Sequence, residues 1–241
     1  MKLSNNTILI TGGATGIGLG LTEQFLRENN KLIICGRRAG TLEEVAAKHP
    51  DVVTRVCDIA SEQERTELFA WLAAEHPDLN VLVNNAGVQH WMNVTDDDFY
   101  ARTKQEIAIN IEAPLHLTQL FLRLPAARTV MNVSSGLAFS PFSKVPVYCA
   151  TKAFLHSFTL SLRHLLKKNN VEVIEIIPPA LNTDLGGKGL HDAYPPVGEF
   201  IASIFEQLRS GSNELTFGSS TTRAHASQDE LKAFFTMMNP D

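Results

Sequence analysis

The chain has 241 residues, 44% of them apolar and 20% charged, and a formal net charge of -5. That length suits one domain with a substantial core, and the mix is ordinary for a globular protein. No basic cluster suggests nucleic acid, the apolar run in the N-terminal MKLSNNTILIT is too short for a secretory signal, and no stretch approaches the roughly 18 apolar residues of a membrane span. Cys35, Cys57 and Cys149 are too widely spaced for a disulfide framework or a metal site. A cytoplasmic protein follows, with no metal and neither nucleic acid nor membrane as partner.

Along the chain, short apolar runs alternate with helical patterns. Residues 7–11 predict a first strand. The glycine-rich TGGATGIG follows, and then a helical stripe over 17–28 with Ile17, Leu21, Phe25 and Leu26 on one face. Strands are predicted at 31–35, 52–57 and 81–83, separated by helices at 42–47 and 62–74. Residues 99–124 read as one long helix, with Pro114 inside and an irregularity expected there. Asp96, Asp97 and Asp98 precede it as a cap. A fifth strand at 130–133, a helix at 150–168 and a sixth strand at 171–177 follow. Residues 184–197, with three glycines and two prolines, break the rhythm and are expected to be a mobile loop. A helix at 198–208, a strand at 215–217 and a helix at 229–237 complete the chain. Continuous apolar strands fit a parallel sheet covered on both faces. Repeated strand–helix units then give a Rossmann-type, doubly wound α/β fold of three layers, as one domain over 1–241.

In such a fold the first strand–helix turn is a ligand site, where free N–H groups attract a pyrophosphate. The spacing here is Gly12-x-x-x-Gly16-x-Gly18 rather than G-x-G-x-x-G. By itself it reads equally well as a structural turn. Asn84-Asn85-Ala86-Gly87 ends the fourth strand, Ser134-Ser135 ends the fifth, and Tyr148-Cys149-Ala150-Thr151-Lys152 opens the next helix. All of them fall on the same side of the sheet. Tyr148 and Lys152 are four apart and share a helix face. A cation there would lower the phenol's pKa from about 10.

These motifs, in this order, resemble the short-chain dehydrogenase/reductase family over residues 6–184. The wording VYCATKAFLHSFTLSLRH and the tail NELTFGSS are similar to the DltE-type oxidoreductases. The resemblance implies an enzyme that interconverts a carbonyl compound and its alcohol. Tyr148 would be the acid/base and Lys152 its electrostatic partner. Ser135, preferred over Ser134 by its spacing to Tyr148, would orient the substrate oxygen. Asn110 would hold a relay water with its backbone carbonyl. Gly12, Thr15, Gly16, Ile17 and Gly18 would cradle the pyrophosphate. Asp58 and Ile59 would meet the adenine, and Asn84, Ala86 and Gly87 the ribose. Tyr148 and Lys152 would contact the nicotinamide half, the Leu181 backbone its carboxamide, and Thr183 the pyrophosphate. Pro179 replaces the family's glycine after the sixth strand. Gly36 stands where an acid would select NAD(H), and Arg37 and Arg38 follow it, so NADP(H) is the expected cofactor. The alternatives are an NAD-dependent alcohol dehydrogenase and a non-catalytic NADP-sensing protein on the same fold. A homodimer or homotetramer built on helices 99–124 and 150–168 is also implied.

The expected substrate pocket comprises Gln89, His90, Phe139, Phe142, Pro179 and the 184–197 loop. Its composition suggests an apolar carbonyl compound, with only His90 or Lys188 as a possible charge. His156 and His164 have no evident third partner and predict no metal site.

Overall fold

The computed structural model describes residues 1–240. Seven strands pair in parallel: β1 (Thr7–Thr11), β2 (Lys31–Gly36), β3 (Val52–Val56), β4 (Leu79–Asn84), β5 (Thr129–Val133), β6 (Glu172–Ile177) and β7 (Glu214–Thr216). Their order across the sheet is β3-β2-β1-β4-β5-β6-β7. Side chains alternate faces along each strand, and both faces are buried except at the edge strand β3, where Val53 and Val56 are exposed. Ile8, Ile10, Val83 and Ile176 pack on one side with Leu21 and Phe25 of α1 (Gly16–Arg27) and Phe200, Ile204 and Phe205 of α7 (Val197–Arg209). Leu9, Leu82, Val130 and Val173 pack on the other side. Their partners are Leu72 of α3 (Glu62–Glu75), Leu117 and Phe121 of α5 (Ala113–Phe121), and Leu162 of α6 (Pro146–Leu166). The remaining early helix, α2 (Ala39–Lys48), joins β2 to β3. The chain thus forms the three-layer, doubly wound architecture, and the order reverses between β1 and β4, where a crevice opens at the carboxyl ends of the strands.

The predicted long helix is three segments. These are α4 (Phe99–Ile107), a π-helical stretch (Ala108–Glu112) and α5. The irregularity therefore lies before Pro114 rather than at it. Proline has no N–H, so the carbonyls of Ile109 and Asn110, five and four residues upstream, receive nothing from that position. The wider turn accommodates the loss. Residues after the last strand also differ from expectation. A short helix, α8 (Ser219–Ala224), intervenes before α9 (Gln228–Met238), which opens on a Ser227/Glu230 capping box. Residues 184–196 form turns without a regular element. The base of this loop is closed where the Asn182 N–H donates to the Pro195 carbonyl at 2.9 Å. Among the described residues no helix is long and apolar enough to cross a membrane.

Candidate active site

A cavity of about 1600 Å³ runs across the carboxyl ends of β1, β4, β5 and β6. Its floor is the glycine turn. Gly12 has φ +64°, in the left-handed region, and a Cβ at Gly18 would sit 2.1 Å from the Gly12 carbonyl oxygen. The Thr22 hydroxyl, 2.9 Å from the carbonyls of both Gly13 and Gly18, clamps the turn from behind. Helix α1 begins at Gly16, and its N-cap, Thr15, makes no side-chain bond to it. The first-turn N–H groups therefore have no capping oxygen. Gly12, Thr15, Gly16, Ile17, Gly18, Leu181 and Thr183 all line the cavity, with Thr183 beside Gly16. Open N–H groups at a helix start, with no side chain between them and the cavity, fit a pyrophosphate.

One end of the cavity is lined by Gly36, Arg37, Arg38, Asp58 and Ile59. Nothing lies within 4 Å of a Cβ built on Gly36, so the space an acid would take is open. Neither arginine has an ion-pair partner among the described residues. The Asp58 carboxylate accepts from the Ala60 N–H at 3.0 Å. Asn84 requires a correction. Its side chain turns into the sheet interior, donating to Asn132 (2.9 Å) and Thr118 (3.1 Å), and it does not line the cavity. The strand's alternation directs it away, and Asn85 lines the wall in its stead with Ala86 and Gly87. Asn85 donates to the Thr11 carbonyl (2.9 Å), while the Thr11 hydroxyl accepts from the N–H groups of Asn85 (3.1 Å) and Ala86 (3.0 Å). The end of β4 is thereby tied to the end of β1.

At the middle of the cavity, β5 and α6 bring Ser135, Tyr148 and Lys152 into one wall. Two adjacent serines take different roles. Ser134 donates to Glu175 at 2.5 Å, and Glu175, fully buried on β6, also holds His156 Nδ1 at 3.0 Å. This pairing raises the His156 pKa. Ser135 Oγ accepts from the Leu137 N–H at 3.1 Å, and its hydroxyl faces Tyr148. Burial pushes the Tyr148 phenol well above its ordinary value, and the facing Ser135 hydroxyl pulls the other way. The Lys152 Nζ lies 5.6 Å from the Tyr148 ring centre and donates to the Val133 carbonyl at 2.7 Å. Burial lowers its pKa to about 8. The expected depression of Tyr148 by Lys152 is thus not present in this arrangement, because desolvation dominates both groups.

Asn110 lies behind this wall. Its amide exchanges two bonds with the Val88 backbone, both 2.9 Å, and donates to Thr151 at 3.1 Å. Gly87 stands between it and Lys152. A Cβ there would lie 3.3 Å from Asn110 Oδ1 and 3.5 Å from Lys152 Nζ.

The far end is lined by Gln89, His90, Trp91, Phe142, Pro179 and loop residues including Leu185 and Tyr194. Phe139 does not line it, because its ring packs on His156 with centroids 4.6 Å apart. Lys188 is also absent from the wall. Three functional candidates escaped the sequence reading. Glu175 carried a signal, as an acid flanked by apolar residues inside a strand. Glu106, fully buried beneath His90, carried none in a polar helix. Arg223 enters the cavity from α8, which no periodicity announced. Among the described residues no group of three or more His, Cys, Asp or Glu is arranged for a metal.

A family model described as short chain dehydrogenase matches residues 6–193. The uncharacterized oxidoreductase DltE of Bacillus subtilis is 41% identical, covering 99% of this chain and 98% of its own length. Among solved structures, a short chain dehydrogenase from Burkholderia cenocepacia in complex with NADP superimposes with a TM-score of 0.84. It has 24% identity and covers 98% of this chain and 99% of that one. A short-chain dehydrogenase from Sphingobium yanoikuyae in complex with NADPH gives a TM-score of 0.81 at 21% identity, covering 98% and 97%.

Proposed function

The chain belongs to the short-chain dehydrogenase family, and from that premise we propose an NADP(H)-dependent oxidoreductase that interconverts a carbonyl compound and its alcohol. The observation that carries this reading is the buried wall of Ser135, Tyr148 and Lys152 midway along a cavity that begins at an open helix N-terminus. When bound, the nicotinamide supplies a hydride to the carbonyl carbon, or takes one from the alcohol carbon. The chain's own residues do the rest. The Ser135 hydroxyl donates to the substrate oxygen and fixes its position. The Tyr148 hydroxyl donates the proton that the developing alkoxide needs, a contribution of roughly 10²–10⁴-fold. At neutral pH the phenol carries its proton, as an ordinary phenol does, and can give it up in the direction of reduction. Lys152, one turn along α6, stabilises the phenolate left behind, and the Asn110 carbonyl, without a donor from Pro114, is available to a relay water. A protein that only sensed the cofactor would not need this buried pair.

For the cofactor, the open space at Gly36 and the unpaired Arg37 and Arg38 favour a 2′-phosphate. The neighbours bound to NADP and NADPH support the same preference. The three free thiols suit a reducing cytoplasm. Apolar side chains exposed on α4 and α6, among them Ile107, Phe154 and Leu160, support a homo-oligomer formed through those helices. One experiment tests the core of the reading. Tyr148→Phe is expected to lower carbonyl reduction by at least roughly 100-fold while NADPH affinity stays unchanged, and Arg37→Ala is expected to weaken NADPH but not NADH. Full turnover by the Phe variant would overturn the mechanism. Equal or tighter NADH binding by the wild type would overturn the cofactor preference.

A further inference from the structure

Arg223 is a cation in the cavity wall with no ion-pair partner among the described residues. It is carried by α8, which packs against the turn that follows Ser135. Ser220, fully buried, fixes the helix by donating to the Ile177 carbonyl at 2.5 Å, and its Cβ would lie 3.2 Å from a Cβ at Gly136. Arg223 stands three residues on, over the same helix face. Its Nη1 would be 3.5 Å from a Cβ at Gly136, so the guanidinium lies beside the residue that follows Ser135.

The guanidinium is poorly satisfied by the protein. Among the described residues its one hydrogen bond is to the Met238 sulfur at 3.0 Å, a weak acceptor. No carboxylate among the described residues lies within the 4.0 Å of an ion pair. Burial works against its charge, and the groups that favour it are Tyr194 and Cys149 rather than an acid. Asp184, His90 and His191 also line this region, and Asp184 forms no ion pair. Lys152 is occupied by the Val133 carbonyl. A half-buried guanidinium offers a fork of N–H donors, always charged, and its lack of an acceptor is costly unless a ligand supplies one.

We propose that Arg223 binds the carboxylate of the substrate, so that the enzyme reduces an oxo acid or oxidises the corresponding hydroxy acid. The proposal rests on the reading of Ser135 and Tyr148 as the carbonyl site. A single guanidinium balances a single negative charge, and its fork matches the two oxygens of a carboxylate. Its place beside Gly136 keeps that carboxylate within a few bonds of the reacting carbon, which selects 2-oxo and 3-oxo acids. The expected substrate was an apolar carbonyl compound without a clamp for its charge, and Arg223 replaces that expectation.

The test uses the full chain loaded with NADP⁺, titrated by calorimetry with 2-oxobutanoate, 3-oxobutanoate and their methyl esters. NADPH consumption is followed in parallel. The wild type is expected to bind at least one acid roughly 10-fold or more tightly than its ester, within the range of a charged hydrogen bond. Arg223→Met should bring the acid to the level of the ester while leaving ester and NADPH affinities unchanged, and Arg223→Lys should recover part of the loss. Tyr148→Phe should keep the preference for acid over ester and lose turnover. Acid bound through Arg223 without NADPH consumption by the wild type would refute the oxidoreductase reading and leave the anion site standing. Four results overturn the inference itself: esters binding as tightly as acids, Arg223→Met weakening both equally or weakening NADPH, none of the acids binding, or a phosphorylated ketone binding in their place.

Discussion

Glu106 is fully buried on α4, and among the described residues its only ionisable side-chain partner is the partly exposed His90. Its Oε1 accepts from the His90 N–H at 2.6 Å and lies 3.1 Å from His90 Nδ1, while Oε2 has no partner. Burial raises its pKa to about 7, and His90 is itself lowered by burial and by Arg102. An acid raised in the folded state binds its proton more tightly there than in the unfolded chain. Its neutral form therefore carries no penalty below about 4.5, and stability falls as pH rises from there to about 7. Glu106→Gln should remove that slope. The variant's stability relative to wild type is expected to be greater at pH 8 than at pH 4.5 by on the order of 1–3 kcal/mol, measured by denaturant unfolding at both values. A parallel dependence in the two proteins would contradict it. At this scale the sequence exposed whatever a local rule fixes. The four-residue step from Tyr148 to Lys152 needs only a helix, and the Gly12 turn needs only a strand before it. The Asn84 side chain, Glu106 and Arg223 depend on which elements face one another, which no local spacing encodes.

The loop at 184–196 and the segmented helix show two ways in which elements depart from a regular pattern. The loop packs Leu185 against Val145, Tyr148 and Cys149, and a Cβ at Gly186 would lie 2.9 Å from Gln89 Oε1. It covers the reacting wall with few regular hydrogen bonds, and we read it as a cover that tightens over bound ligand. Trypsin is expected to cut after Lys188 in the free protein, and NADPH with a substrate should slow the cut several-fold while cleavage elsewhere is unchanged. An unaltered rate would show that the loop does not respond to ligand. The strands were legible because continuous apolar runs have one reading in a doubly wound sheet, and their ends moved by only a residue or two. Helix α8 was not legible. Its sequence SSTTRA has no apolar face, and the Ser220 bond to the end of β6 holds it in place.

At the scale of the molecule, the helices α4 and α6 leave apolar side chains uncovered. Phe154 is 41% exposed and stacks on Phe158 at 6.4 Å, and Leu165 is 68% exposed. A face of this kind is where a second copy would bury surface. Phe154→Glu is expected to shift the particle to a monomer by light scattering, with helix content retained. A wild type that is already monomeric would remove the case for that face. The family match ends at residue 193, whereas Arg223 stands thirty residues beyond it on a helix that touches the catalytic wall but adds no strand. On the proposed role of Arg223, part of the substrate choice lies beyond the family match, while the rest of the pocket wall, such as His90 and Phe142, lies within it with Ser135, Tyr148 and Lys152. Exchanging the tail from Gly218 onward, with Ser220 and its bond to Ile177 kept, is expected to alter which molecules react while leaving the reaction itself intact.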